Sequence, residues 1–497
     1  MTPGFTRPVL RSPYGVISCG TPAAATAGVE ILNAGGTAVD ALVAAAAAMF
    51  VVLPSACGLG GDALILIAGR NAETLAINGN GVAPQDVADE IPRDGGGTAA
   101  VPGAVAGLLT AHERFGQLPL PRVLEPAVKL ADKGFVIGPD LSVALQRQKQ
   151  RLTRCSAEWA LLQSEPEEGK VVRLHGLAEL LRAIGEGGQA AFYQGPTAAA
   201  VAAAVQRDGG HMTSADLERY VALIGLPAAA EFGTARVEVS PPPSQAILLL
   251  IALKWLAQRS HPSGAGQRLL EQLGAVEYAF SRRQEVVALD AAERLLADHA
   301  PDEQPIILVG DGPRGYNHTA AIAVADQEGQ VVSALVSVFD DFGSATFVPE
   351  FEFHLNSRLL GFDREGPNAP RGGRRPIHTL SPAVVHTAQR TIGIATPGAD
   401  GQVQTLLQVL TSHLENGVPL QTALHEPRWR LVDGEVCIED GFAQQLIDAL
   451  NEGNRVIRTL APGDQLFGAV AAVGVDATGG PAEAMSDPRR EAWAAVA

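Results

Sequence analysis

The sequence predicts a protein of the α+β class, because helical and strand patterns are both frequent along its 497 residues. Apolar residues recur at helical spacing in Thr21–Asn33 and Ala38–Phe50, and the region from Val123 to about Arg207 is mostly helical in pattern. A β-hairpin pattern comes later, where two runs of small apolar residues flank the polar turn Asp326–Gln330. Helices are therefore expected to dominate the first part of the chain, with strands resuming near residue 319.

The first two predicted helices lie close together in the chain. The glycine pair Gly35-Gly36 ends the first, and the alanine-dense composition of Ala38–Phe50 lets the second pack closely against another element. The apolar run Ala41–Leu53 is too short for a typical membrane span, so it is predicted to be a buried helix. Further helices are predicted at Ala246–Leu256, Leu269–Leu296 and Gln402–Asn416.

Both arms of the hairpin have few charges, and strands this apolar are expected to be covered on both faces. Thr319 stands at the mouth of the first arm, where a threonine alone means little because β-branched residues favour strands. The preceding segment, His299–Tyr316, combines prolines and glycines without periodicity and predicts an exposed or mobile connector. Other strands are predicted at Ala63–Ala68, Leu75–Asn78, Val237–Val239 and Thr391–Ala395.

Composition excludes several classes of function. Lys and Arg number 37 against 54 Asp and Glu, a net charge of −17 without a basic stripe, so a nucleic-acid partner is not expected. The N-terminal residues lack the apolar core of a signal peptide, and the four scattered cysteines indicate reduced thiols. The sequence thus predicts a cytoplasmic protein with no membrane partner.

Neither a metal site nor a cofactor site is predicted. The histidines His211, His299, His318 and His378 fall in different elements without the spacing of metal ligands. The glycine-rich stretch Gly58–Asp62 lacks both the Walker lysine and the spacing of a dinucleotide-binding loop. Its glycines are instead expected to let the backbone approach another backbone or a ligand closely.

Seven motifs spread along the chain resemble the γ-glutamyltransferase family. They are Gly35–Ala41, Gly58–Asp62, Val101–Leu108, Glu125–Ala127 with Leu130-Ala131, Phe192–Gly195, Phe342–Ser344 and Pro397-Gly398. Each motif is short, but their shared order and spacing identify the chain as a member of this family.

The resemblance implies a four-layer αββα sandwich of the N-terminal-nucleophile hydrolase type. It also implies that the precursor cleaves itself between His318 and Thr319, where the connector can accommodate the cut. The expected products are a large subunit of residues 1–318 and a small subunit of residues 319–497. Together they would form one αββα unit.

The implied chemistry centres on Thr319. A hydroxyl is a weak nucleophile without a base beside it, and the α-amine freed by cleavage, with an ordinary pKa of about 8, can accept its proton. By resemblance, Ser337 supports the threonine during processing. The backbone N–H groups of Gly398 and Ala399 would stabilise the oxyanion, with Ala399 standing where the family usually has a second glycine.

The donor pocket departs from the family pattern. An arginine, an asparagine and an aspartate hold the glutamyl zwitterion in the family, and the matching positions here are Asn80, Phe339 and Gly361. Because unpaired charges are costly to bury, losing all three partners would remove the grip on glutamate.

Three further residues are expected near this pocket. Arg358 replaces an uncharged residue and could bind a carboxylate placed differently, although a solvated surface arginine is an equal alternative. His378-Thr379 occupies the place of the family's paired serines, and for His378 a purely structural role is an equal alternative.

The favoured function is an autoprocessed N-terminal-threonine hydrolase or acyltransferase acting on a small carboxylated substrate that is not a γ-glutamyl compound. The resemblance leaves open amide hydrolysis of oxo-acid amides such as oxamate, or C–C hydrolysis that releases an oxalyl-type fragment in antibiotic biosynthesis. A genuine γ-glutamyltransferase or glutathione hydrolase is one alternative, and an unprocessed binding protein is another. A homo-oligomer remains open.

Overall fold

The structure is a computed structural model that describes residues 7–70, 72–156, 158–163, 165, 167–259, 264–288, 290–298 and 319–497. The connector predicted at His299–Tyr316 lies outside the described residues, and so does His318. Thr319 is therefore the first described residue after that interval.

Helices and strands alternate in groups along the described chain. The α-helices are α1 (Pro22–Asn33), α2 (Ala38–Val52), α3 (Ala104–Phe115), α4 (Leu120–Lys133), α5 (Pro139–Ser156), α6 (His175–Gly187), α7 (Ala190–Tyr193), α8 (Gly195–Arg207), α9 (Ser214–Glu218), α10 (Ile247–Ala257), α11 (Ala265–Ser281), α12 (Ala291–Ala297), α13 (Gly401–Leu414), α14 (Leu420–His425) and α15 (Gln444–Glu452). The strands are β1 (Leu10–Ser12), β2 (Gly15–Cys19), β3 (Asp62–Ala68), β4 (Leu75–Gly79), β5 (Phe135–Val136), β6 (Val171–Val172), β7 (Leu223–Gly225), β8 (Ala228–Phe232), β9 (Ala235–Val239), β10 (Ala320–Asp326), β11 (Val331–Ser337), β12 (Phe347–Val348), β13 (Phe353–His354), β14 (Ala383–His386), β15 (Arg390–Ala395), β16 (Trp429–Val432), β17 (Glu435–Glu439), β18 (Val456–Leu460), β19 (Ala471–Asp476), β20 (Ala482–Ser486) and β21 (Trp493–Val496).

Two seven-stranded sheets form the centre of the molecule. Sheet A has the order β1-β20-β19-β15-β14-β9-β8, and sheet B has the order β21-β2-β10-β11-β3-β4-β7. Neighbouring strands in both sheets run antiparallel. Strands from before and after residue 319 therefore pair within each sheet, so the two predicted subunits share both sheets.

Side chains alternate between the two faces of each sheet, so each sheet packs against the other sheet on one face and against helices on its other face. Ala321 and Ala323 of β10 pack between the sheets, against Val473 of β19, while Ile322 faces the other way. Ile322 lies in the core formed with α1 and α2, and the opposite face of sheet A packs through Ile394 against α10 and α13. The αββα order implied by the family resemblance is confirmed.

The buried helix predicted at Ala38–Phe50 is observed as α2, and every residue of α2 is buried. A capping box begins it, in which Thr37 Oγ1 accepts from the Asp40 N–H and the Asp40 carboxylate accepts from the Thr37 N–H. Asp326 Oδ2 accepts a 2.8 Å hydrogen bond from the Ala38 N–H, which ties the helix to the turn of the hairpin. No helix in the described ranges has the length and apolarity needed to cross a membrane.

The predicted hairpin is confirmed as β10 and β11, with Ala320 opposite Val336 and Ala325 opposite Val331. Asp326 Oδ1 organises its turn by accepting from the N–H groups of Glu328 at 3.1 Å and Gln330 at 2.9 Å.

Two parts of the fold differ from the sequence prediction. The helix predicted over Leu269–Leu296 is wrong, since α11 ends at Ser281 and a 3₁₀ segment at Arg283–Val287 precedes α12. Ser281 Oγ donates back to the Tyr278 carbonyl at 2.6 Å, so the hydroxyl competes with the helical pattern at that end. In addition, the strands β1 and β2, β5 to β8, β12 to β14 and β16 to β21 were not predicted.

Candidate active site

Four polar residues lie in one row across sheet B. The register places Ser337 opposite Asp62, while Ala320 faces Val336 and Ala63 faces Gly79. Continuing the register by one residue puts Thr319 beside Ser337 and Asn80 beside Asp62. Residues directly opposite each other project from the same face of a sheet, and neighbouring strands are about 4.8 Å apart. The row Thr319–Ser337–Asp62–Asn80 therefore faces the space between the sheets.

Thr319 is buried, with 7% of its surface exposed. Its Oγ1 donates a 3.2 Å hydrogen bond to Ser337 Oγ, which also accepts from the Phe339 N–H at 3.0 Å. These contacts fix the threonine hydroxyl at the mouth of β10. A cavity opens there, and its lining includes Thr319, Pro397, Asp140 and Arg490.

Gly398 and Ala399 form a turn between β15 and the start of α13. Both have positive φ angles, +131° for Gly398 and +48° for Ala399, and the latter lies in the left-handed region. Their carbonyls accept from the N–H groups of Gly401 and Gln402. Within the described ranges their own N–H groups donate to no acceptor. Two backbone donors thus remain available beside Pro397, which lines the Thr319 cavity.

Arg358 is fully buried and bonded to Asp62, which decides against a surface arginine. Arg358 Nε donates to Asp62 Oδ2 at 2.8 Å, and the Gly81 N–H donates to Asp62 Oδ1 at 2.6 Å. Burial would raise the pKa of Asp62, but the Arg358 charge and His378 outweigh it and lower that pKa. Among the described residues, neither Nη1 nor Nη2 of Arg358 has a hydrogen-bond partner.

His378 stands against the same carboxylate. Its Nε2 lies 3.7 Å from Asp62 Oδ2, which is too long for a hydrogen bond, and its Nδ1 accepts from the Leu380 N–H at 3.1 Å. Burial, followed by the nearby Arg358 charge, lowers the pKa of His378 to about 4. The ring is therefore neutral near pH 7 and carries its proton on Nε2, which has no acceptor in the described part of the chain.

Asn80 and Phe339 close this region. The Asn80 amide is buried, and neither its nitrogen nor its oxygen finds a partner among the described residues. The Phe339 ring centroid lies 4.4 Å from Arg358 Cζ, in a cation–π contact. Phe339 has a φ of +80°, which is strained for a bulky residue.

The structure therefore brings together most of the residues singled out in the sequence. Thr319, Ser337, Phe339, Arg358 and His378 are linked directly or through Asp62, and Asn80 ends the same row. Thr379 is buried beside His378, and Gly361 ends the short 3₁₀ segment that begins at Arg358. No group of three metal-ligating side chains occurs in the residues that the structure describes.

Asp62 is the residue that sequence reasoning missed. It was noted only as the end of the glycine-rich stretch Gly58–Asp62, yet it contacts Gly81 and Arg358 and stands next to His378. Its position in the sequence was the available signal, because it stands between a glycine pair and an apolar strand. A carboxylate buried there is costly unless it is paired, so a partner could have been expected.

Comparison with known proteins places this geometry in context. The family model described as gamma-glutamyltranspeptidase matches residues 24–497. The glutathione hydrolase proenzyme of Bacillus subtilis is 27% identical, over 96% of this chain and 90% of the relative. The oxamate amidohydrolase proenzyme of Klebsiella pneumoniae is 29% identical, over 95% and 96%. The crystal structure of cephalosporin acylase from Bacillus halodurans superposes with a TM-score of 0.89 at 25% identity, covering 100% of this chain and 98% of that one.

Proposed function

The chain belongs to the gamma-glutamyltranspeptidase family of N-terminal-nucleophile hydrolases, and we propose that Thr319 is its nucleophile after self-cleavage at the 318–319 bond. The observation that carries the proposal is the hydrogen bond from Thr319 Oγ1 to Ser337 Oγ at the mouth of β10. Similarity to two proenzymes supports a precursor of this kind.

The reaction begins with attack of Thr319 Oγ1 on the scissile carbonyl of the substrate. The Oγ1 proton passes to the free α-amine of Thr319, and the N–H groups of Gly398 and Ala399 stabilise the oxyanion. Collapse of the tetrahedral intermediate expels the leaving amine with that proton and leaves an acyl ester on Thr319. Water, or another amine, then attacks the acyl ester, which releases the acyl product and regenerates the Thr319 hydroxyl.

The substrate carries a small acyl group with a carboxylate, and Arg358 is its partner. Two guanidinium nitrogens with no partner among the described residues favour a bidentate carboxylate. The positions that would hold a glutamyl zwitterion are Asn80, Phe339 and Gly361, none of which is charged. Similarity to an oxamate amidohydrolase and a cephalosporin acylase favours amide hydrolysis. The alternative, C–C cleavage in antibiotic biosynthesis, is correspondingly less favoured.

The first experiment is intact mass and a denaturing gel of the purified protein beside Thr319→Ala. We expect two fragments that meet between residues 318 and 319 in the native protein, and one uncut chain in the variant. Thr319→Ser, which keeps a hydroxyl, should still be cut, although more slowly. A single uncut chain in all three samples would contradict the proposal and favour a binding protein.

Substrate preference is tested on the cleaved enzyme with matched amides of oxalate, succinate and L-glutamate. We expect turnover of the first or second series and at most a trace with the γ-glutamyl amide. The L-glutamate amide is included because a glutathione hydrolase is among the relatives. Preferential turnover of this γ-glutamyl amide would support the alternative function, a γ-glutamyltransferase or glutathione hydrolase.

A further inference from the structure

Around Asp62, several buried donors have no acceptor among the described residues. They are Arg358 Nη1 and Nη2, His378 Nε2 and Asn80 Nδ2. A buried donor without a partner costs free energy, so a group of them indicates a place for a ligand that supplies acceptors. This inference rests on the proposed function, because it concerns the pocket for the acyl group of the same site.

Asp62 determines which edge of the guanidinium is available. Its Oδ2 accepts a hydrogen bond from Arg358 Nε–H, and its Oδ1 accepts one from the Gly81 N–H. The carboxylate is therefore fixed through both oxygens. The two Nη groups are left to bind a ligand, and their spacing matches the two oxygens of a carboxylate.

His378 adds a donor of a different kind. Because its Nδ1 accepts from the Leu380 N–H, its proton lies on Nε2, which approaches the same oxygen of Asp62 that Arg358 Nε contacts. The imidazole donor and the guanidinium therefore lie side by side. A neutral donor suits a carbonyl oxygen rather than a second carboxylate.

We propose that Asp62, Arg358 and His378 form a specificity site for an acyl group that carries a carboxylate directly next to a second acceptor oxygen, as an oxalyl or 2-oxo-acyl group does. Arg358 binds the carboxylate, and His378 Nε2–H donates to the neighbouring oxygen. Asp62 acts as a positioning residue by holding the guanidinium. Entry of the ligand requires the Phe339 ring, which lies over the guanidinium, to turn aside.

The test compares two small anions of similar size, oxamate and isobutyrate, of which only oxamate has an oxygen next to its carboxylate. Dissociation constants are measured by ligand-observed NMR with the full-length protein in its purified form. Carbon-13 spectra of labelled oxamate report any conversion to oxalate, in which case both dissociation constants are measured in the Thr319→Ala background. One additional hydrogen bond predicts about tenfold tighter binding of oxamate.

Two substitutions of His378 form a matched pair. In His378→Asn the side-chain oxygen can still accept from the Leu380 N–H, as Nδ1 does, but the donor at the Nε2 position is lost. In His378→Gln the longer side chain can place an amide N–H near the Nε2 position. We expect the oxamate preference to vanish in His378→Asn, with isobutyrate binding unchanged, and to persist in His378→Gln. Arg358→Gln should weaken both anions at least tenfold.

Equal binding of the two anions by the native protein would overturn the proposal, and so would an oxamate preference that survives in His378→Asn. Neither outcome touches the nucleophile, because binding does not require Thr319 chemistry. Conversely, an uncut and inactive protein that still prefers oxamate would refute the catalytic function and leave the specificity site in place.

Discussion

At the residue scale, the site depends on conformations that a sequence does not display. Ala399 adopts a φ of +48° and Phe339 one of +80°, although neither is glycine. A left-handed conformation costs an L-residue about 1–2 kcal/mol, so the surrounding structure must hold both residues. At Ala399 that conformation leaves the backbone N–H without an acceptor among the described residues, which is what an oxyanion donor needs.

The turn at Gly398 gives the first prediction. Gly398→Ala should lower turnover and self-cleavage about tenfold or more, because alanine disfavours a φ of +131°. A Cβ there would meet no atom nearer than 3.9 Å, so the effect would come from the backbone rather than from a clash. Ala399→Gly, the matched control, should retain activity within about threefold. Equal activity of both variants would argue against the assigned oxyanion donors.

Buried neutral histidines give the second prediction. Burial, aided by the Arg151 charge, lowers the pKa of His354 to about 3, whereas an unfolded histidine titrates near 6.5. Only the unfolded state gains this proton between those pH values, so stability should fall as the pH drops from 6.5 towards 3, by about 1.4 kcal/mol per pH unit. His378 acts in the same direction down to about pH 4.

Urea unfolding of the uncut Thr319→Ala protein at several pH values measures this slope. His354→Phe keeps a ring beside Trp159 and should reduce the slope by about one proton. His211→Gln replaces an exposed histidine and serves as the control. If His354→Phe leaves the slope unchanged, the native state already binds that proton.

At the element scale, α5 holds the loop that follows Ser337. Arg151 donates to the carbonyls of Asp341 at 2.7 Å and Gly343 at 2.6 Å. That loop contains four left-handed residues, Phe339, Phe342, Gly343 and Ala345. Since the Phe339 N–H donates to Ser337 Oγ, the helix helps to position the hydroxyl that accepts from Thr319.

Arg151→Met should therefore slow self-cleavage several-fold and cost about 1–3 kcal/mol of stability, since two carbonyls lose their donor. The fraction of cut protein is followed on denaturing gels after synthesis, and stability is measured in the Thr319→Ala background. Arg154→Met, an exposed change on the same helix, is the control and should match the native protein. Lost stability with unaltered cleavage would show that the loop does not position Ser337.

Elements with strong local signals were predictable, and those set by distant contacts were not. The apolar hairpin and the alanine-dense α2 were both evident from pattern alone. The break after Ser281 was missed because periodicity continues through it. Arg358 was ambiguous for a different reason: its burial depends on Asp62, which is 296 positions away in the chain.

At the scale of the whole molecule, the predicted subunits are interleaved. In sheet B, β10 and β11 lie between β2 and β3, so the small-subunit pair has a large-subunit strand on either side. In sheet A, β14 pairs with β9 across the same division. Cutting the chain before Thr319 removes none of these strand pairs.

We therefore predict that the cleaved fragments elute together in size-exclusion chromatography and separate only under denaturing conditions. Thermal unfolding should show one cooperative transition for both fragments, because each sheet and each core contains parts of both. The check is a denaturing gel of the eluted peak together with calorimetry. Separate elution, or two independent transitions, would contradict a shared αββα unit.

The row Thr319–Ser337–Asp62–Asn80 has a consequence for how such a protein can change. Each position lies on a different strand or directly at its end, at roughly fixed intervals, and the strand pairs hold the backbone in place. Asp62 and Asn80 lie two and three strands away from Thr319, and in the described part of the chain neither forms a hydrogen bond with it. The proposed nucleophile and the proposed acyl pocket are thus carried by different strands. A small combinatorial library at Asn80 and at the Asp62–Arg358 pair, with the two members of the pair exchanged together, would show whether substrate choice can change while self-cleavage at Thr319 is kept.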